Sequence, residues 1–165
     1  MRNDYTFEVA VKILKIRIAG LVPESYVDGE GIRFAIFMQG CLRNCSGCHN
    51  PETHALDGGK ILDTSEIIAE IKKNPLLTGI TLSGGEPLLQ IAPALEIAKF
   101  AQNSGLNVWL YTGYKFKEIP KDADELLKFV DVVVDGEYIE ELRNLELEFR
   151  GSENQRIIYL KEAKK

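Results

Sequence analysis

Gly31-Ile-Arg-Phe-Ala-Ile-Phe-Met-Gln-Gly40 is a run of branched and aromatic residues closed by glycine at both ends, and it reads as a buried strand. Three cysteines follow at once, in Cys41-Leu-Arg-Asn-Cys45-Ser-Gly-Cys48. Working outward, Gly79-Ile-Thr-Leu-Ser83 is a second core strand that runs into Gly84-Gly85. Further strands are expected over Leu106–Tyr111, Val130–Val134 and Arg156–Leu160, before a frayed lysine-rich end. Helices separate them. Asp63-Thr-Ser-Glu66 has the spacing of a capping box with Ile67, Ile68 and Ile71 behind it, which predicts a helix from about Thr64 to Asn74. Pro93 suits a first helical turn, Leu95, Ile97, Ala98 and Ala101 follow at helical spacing, and Gly105 is placed as a C-cap. A shorter helix is expected around Asp122–Lys128.

Alternating strands and helices imply an α/β fold with a parallel sheet joined by right-handed crossovers. A full eight-unit barrel needs about 250 residues. The 165 residues here suffice for one domain, residues 1–165, built as an open partial (β/α) barrel with about five or six parallel strands. In such folds the loops after the carboxyl ends of the strands form the active face. The cysteine loop, Ser83-Gly84-Gly85-Glu86, Tyr111-Thr112-Gly113 and Asp135-Gly136 all occupy that position, so four loops are expected to converge on one rim.

Composition excludes several classes of function. A net charge of -5 leaves no broad basic field for a phosphate backbone, so nucleic acid is not an expected partner. The N-terminal MRNDYTFEVAVKILKIRIAG alternates apolar with charged residues and does not read as a signal peptide, and no segment has the apolar length of a bilayer span. No membrane association is expected. Three cysteines within eight positions make a poor disulfide framework and a good ligand cluster, which fits a reducing cytoplasm.

Spaced by three and then two residues on a glycine-bearing loop, the three thiolates can face one inorganic core. Three ligands for four irons leave one iron uncovered, as a catalytic metal requires. A zinc site completed by His49 or His54 is the competing reading, although closed zinc sites usually draw their ligands as two separated pairs. In Ser83-Gly84-Gly85-Glu86-Pro87 the glycines allow the backbone close to a ligand, and Glu86 offers a carboxylate to a cation. A plain strand-to-helix turn explains the same residues.

These residues resemble the radical S-adenosylmethionine superfamily, which carries a CxxxCxxC loop. Within it the chain is similar to the glycyl-radical-enzyme activases, and among those to the group that activates anaerobic ribonucleoside-triphosphate reductase. The resemblance rests on Asp28-Gly-Glu-Gly-Ile-Arg33, Met38-Gln-Gly-Cys41, Cys45-Ser-Gly-Cys48-His-Asn50, Ser83-Gly-Gly-Glu-Pro87, Val134-Asp-Gly136 and Phe149-Arg-Gly-Ser-Glu-Asn-Gln-Arg156. It implies a fold of radical S-adenosylmethionine type and a 4Fe-4S cluster on Cys41, Cys45 and Cys48 whose fourth iron is bound by S-adenosyl-L-methionine. It also implies a 5'-deoxyadenosyl radical that takes hydrogen from a glycine of the reductase large subunit, and flavodoxin or ferredoxin as reductant. Glu86 would then face the methionyl ammonium, with Ser83, Gly84 and Gly85 beside it, while Thr112 and Asp135 would reach the ribose or the methionyl carboxylate. Many superfamily members carry an aromatic residue before the third cysteine, where this chain has Gly47; that leaves His49 as a candidate to stack on adenine. Glu30 stands where these activases often have proline, and Asp28 and Arg33 are read as partner contacts, braces of the cluster loop or surface pairs. The alternatives are an activase of another glycyl-radical enzyme such as pyruvate formate-lyase, a 7-carboxy-7-deazaguanine synthase, and a non-enzymatic zinc or electron-transfer module.

Overall fold

Residues 12–161 are described by a computed structural model, and their strands join into one open, seven-stranded sheet in the order β3-β1-β2-β4-β5-β6-β7. The strands are β1 (Lys15–Ser25), β2 (Arg33–Met38), β3 (Lys60–Asp63), β4 (Gly79–Gly84), β5 (Asn107–Tyr111), β6 (Val132–Asp135) and β7 (Arg156–Tyr159). Helices α1 (Thr64–Lys72), α2 (Ile91–Asn103) and the single-turn α3 (Asp124–Leu127) connect them. The lysine-rich end and the first eleven residues lie outside the described residues.

The sheet is mixed, which corrects the expected five or six parallel strands. β2, β4, β5 and β6 are parallel, whereas β1 pairs antiparallel with both β2 and β3, and β7 pairs antiparallel with β6. The parallel core needs crossovers, and α2 supplies the one between β4 and β5. β7 instead returns from a long irregular segment and closes the far edge in the opposite direction.

Period-two alternation assigns the two faces. Phe34, Ile36 and Met38 of β2, Ile80 and Leu82 of β4, Val108 and Leu110 of β5 and Val133 of β6 turn to one side, where they meet Ile67 and Ile71 of α1, Ala94, Ile97, Ala98 and Ala101 of α2, and Leu126 of α3. α1 begins as expected, with the Glu66 carboxylate accepting the Asp63 N–H at 2.7 Å. α2 ends at Gly105, whose φ of +78° allows the Leu106 N–H to donate to the Ala101 carbonyl at 2.9 Å.

The opposite face carries Arg33, Thr81, Trp109, Val132 and Val134, and among the described residues no α-helix packs on it. Arg33 is fully buried there, which corrects its reading as a surface pair. Its guanidinium donates to Thr81 Oγ1 at 2.7 Å, Asn107 Oδ1 at 2.6 Å and the Glu30 carbonyl at 2.9 Å, and lies 5.3 Å from the centre of the Trp109 ring. Burial lowers its pKa to about 10. Arg33 thereby ties the Asp28–Ile32 loop to the middle of the sheet, and Phe149 closes over Trp109 with ring centres 5.4 Å apart.

Candidate functional site

Four loops meet at the carboxyl ends of the parallel strands around a cavity of about 810 Å³. Cys41, Cys45, Cys48 and His49 line it from the cysteine loop, Ser83, Gly84, Gly85 and Glu86 from the end of β4, Thr112 and Gly113 from the end of β5, and Gly136 from the end of β6. Residues 137–155 line it from a further side, through Tyr138, Phe149, Arg150 and Gln155, and the loop before β2 adds Tyr26, Val27 and Asp28.

The cysteine loop is held at its base by main-chain bonds. Gly40 N–H donates to the Thr53 carbonyl at 2.7 Å, Cys41 N–H to the His54 carbonyl at 3.1 Å, and Glu86 N–H to the Gly40 carbonyl at 2.8 Å. This last bond explains the two glycines of β4's end. A Cβ on Gly85 would collide with the Gly40 carbonyl oxygen and stand 2.9 Å from that of Thr53, and one on Gly84, at φ +98°, would strike the Met38 backbone. Chain packing therefore already requires both glycines, in addition to their position on the cavity.

Farther along the loop, the Arg43 guanidinium lies 4.4 Å from the centre of the Tyr114 ring, an arrangement that cation–π attraction favours. Its stem crosses Gly113, where any Cβ would collide with it. Gly47, at φ +74°, meets the Glu140 carboxylate in the space a Cβ would take. The absence of an aromatic residue before Cys48 is thus matched by the 137–155 segment pressing on that position. Tyr138, from the same segment, sits 5.0 Å from the His49 ring. Sequence reasoning missed Tyr138 and Arg43, and the only available signal for Arg43 was its place as the one charge between the cysteines.

Glu86 is 3% exposed, and its carboxylate is already engaged. It accepts from Leu88 N–H at 3.1 Å, from Gly113 N–H at 2.9 Å and from Thr112 Oγ1 at 2.9 Å. Burial raises its pKa, and these donors counter that only in part. Glu86 therefore clamps the β5 loop to the β4 loop while lining the cavity, and the Thr112 hydroxyl is committed to that clamp. Asp135 does not line the cavity, which corrects its reading as a cavity-facing group. It is 1% exposed, accepts from Phe116 N–H at 2.8 Å and pairs with Arg156. Burial acts to raise its carboxyl, but Arg156 and the Phe116 N–H together outweigh it and hold the group below its ordinary value.

All three cysteines are free and partly exposed to the cavity. Burial pushes the Cys45 thiol up, and the charges of Glu137, Cys41 and Cys48 push it further. Three thiolates at close quarters repel one another unless a cationic core lies between them, so this donor set fits an iron-sulfur cluster. Among the described residues, no three His, Cys, Asp or Glu side chains gather tightly enough to hold one ion. A 4Fe-4S core does not demand that, since each thiolate takes a different iron.

Residues 27–158 match the family model described as a 4Fe-4S single cluster domain. The anaerobic ribonucleoside-triphosphate reductase-activating protein of Haemophilus influenzae is 34% identical over 141 residues, covering 81% of this chain and 91% of that protein. The protein of the same description from Enterobacteria phage T4 is 36% identical over 144 residues, covering 83% and 90%, and that of Escherichia coli is 32% identical over 149 residues, covering 84% and 96%. The chain belongs to this activating-protein family. The crystal structure of QueE from Escherichia coli aligns with a TM-score of 0.53 at 14% identity, covering 73% of this chain and 70% of that one, and shows the shared fold. The family match spans every loop of the rim, from the Asp28 loop to β7. No helix among the described residues is long and apolar enough to cross a membrane.

Proposed function

We propose that this chain, working in the cytoplasm, is a radical S-adenosylmethionine activase that installs a glycyl radical on the large subunit of an anaerobic ribonucleoside-triphosphate reductase. Cys41, Cys45 and Cys48 would hold the cluster, leaving one iron for S-adenosylmethionine. When bound and reduced by flavodoxin or ferredoxin, the pair supplies a 5'-deoxyadenosyl radical able to take hydrogen from a backbone glycine. The chain's own residues position and shield. Arg43 and the main-chain bonds at Gly40 and Cys41 fix the loop, the Glu86 clamp closes the floor, and Tyr138 with His49 offers an aromatic wall for adenine. No side-chain base is required, because abstraction from a Cα depends on proximity and orientation.

The observation that carries this reading is the placement of three free thiols on one loop, open to a cavity at the carboxyl ends of four parallel strands. Reconstitution with iron and sulfide under anaerobic conditions tests it. About four irons per chain are expected, together with 5'-deoxyadenosine from S-adenosylmethionine after dithionite reduction and loss of both in Cys48→Ala. Zinc in the freshly isolated protein with no 5'-deoxyadenosine would favour the binding-module reading instead.

A further inference from the structure

The Phe149–Arg156 stretch contains six polar side chains whose role the fold alone does not exhaust. Five of them are committed within the chain. Arg156 pairs with Asp135, Asn154 Nδ2 donates to the Glu137 carbonyl at 2.8 Å, Glu153 Oε1 accepts from Asn144 Nδ2 at 3.1 Å, Ser152 Oγ accepts from Ile139 N–H at 3.2 Å, and Gln155 Oε1 accepts from Gly151 N–H at 2.9 Å. Arg150 differs. Its Nε is shielded from solvent with no hydrogen-bond partner, and no carboxylate among the described residues lies within ion-pair distance, whereas Arg143 and Arg156 on either side both have one. The other buried atom without a partner, Asn154 Oδ1, belongs to a residue outside the cavity lining. Arg150 lines the cavity.

The backbone that carries Arg150 is also fixed from both sides. Phe149 holds φ at +60°, a strained value for a side chain with a Cβ, and its carbonyl accepts from Tyr111 Oη at 2.6 Å. Gln155 fixes Gly151 on the other side, and Gly151 packs against Tyr138 and His49, beside the cysteine loop. An arginine held without a counter-ion in a preformed wall has its ordering cost already met, and its planar fork matches a carboxylate.

We infer that Arg150 binds the methionyl carboxylate of S-adenosylmethionine, as a cofactor-binding residue supplied by the 137–155 wall. The inference rests on the proposed function, because it takes the cofactor from that reading. The same carboxylate chemistry is available from an acidic side chain of the reductase, and the test separates the two sources.

Cluster-loaded parent, Arg150→Gln and Arg150→Lys proteins would be titrated by equilibrium dialysis with S-adenosylmethionine and with its decarboxylated analogue, in the absence of reductase. Loss of a charge-assisted pair predicts that Arg150→Gln binds S-adenosylmethionine about tenfold to a hundredfold more weakly, with the decarboxylated analogue changed far less and Arg150→Lys intermediate. Equal weakening of both ligands, or unchanged binding of S-adenosylmethionine, overturns the inference. So does an Arg150→Gln protein that binds S-adenosylmethionine as the parent does but, in a separate titration with the reductase large subunit, loses affinity for it, which would assign the arginine to the partner's acid. If the parent binds and cleaves S-adenosylmethionine while the variants bind it equally well, the inference fails and the proposed function stands. If the cluster-loaded parent does not bind it, both fall.

Discussion

Single residues at this site mostly serve two ends at once, and Glu86 shows how. It was legible in the sequence as a carboxylate on the rim, yet its oxygens are engaged by Leu88, Thr112 and Gly113. Replacing it with alanine leaves two buried N–H groups without acceptors. The expected loss is about 3 kcal/mol in urea unfolding, with Glu86→Gln costing roughly half of that. Asp135 makes the same point through pH. Its folded pKa lies below the ordinary aspartate value, so its contribution to stability is present above that value, about 4, and is lost as pH falls through the folded one. In Arg156→Gln, burial is opposed only by the main-chain N–H groups of Phe116 and of residue 156. That variant is expected to be less stable at neutral pH, with the gap to the parent narrowing on acidification below pH 4. Unfolding curves across pH check the sign. Residue type and strand-end position were readable for Glu86, Thr112 and Asp135. Whether each polar group faces the cavity or another loop depends on neighbours distant in sequence.

At the scale of elements, the cysteine loop and the 137–155 wall hold each other. Arg43 passes over Gly113 to reach Tyr114, so Gly113→Ala should displace it and speed the loss of iron to a chelator. Global stability should move by less than about 1 kcal/mol, since the loop is a surface feature. Gly47 supports a cycle. Gly47→Ala adds backbone strain of about 1 kcal/mol at φ +74° and a collision with Glu140, both seen as faster iron release. In a Glu140→Ala background only the strain remains, so the second substitution should restore part of the retention. Equal effects in both backgrounds would show that the wall does not press on the loop. The α/β core elements were legible because their patterns are long: the β2 and β4 runs, the capping box of α1 and the Gly105 stop all stand as read. β1 and β3 were not foreseen. β3 has four residues, none buried, too few to show a period, and β1 lies in a stretch whose apolar and charged alternation was read only as evidence against a leader.

For the molecule as a whole, four parallel strands fix where the chemistry sits, and three antiparallel strands finish the edges. Strand direction at an edge follows from the connecting segment, not from the strand's own residues, which is why β7 could be located but not oriented from its sequence. The result is a sheet with one face sealed by helices and the other walled by loops, leaving the cavity open for a second protein chain to approach. The most direct test is to incubate the cluster-loaded chain anaerobically with the reductase large subunit, S-adenosylmethionine and dithionite, and record the electron paramagnetic resonance spectrum. A glycyl doublet on the reductase, absent with Cys48→Ala, is the predicted result. Cleavage of S-adenosylmethionine with no doublet on the reductase, or a doublet only on a pyruvate formate-lyase supplied in its place, would contradict the account.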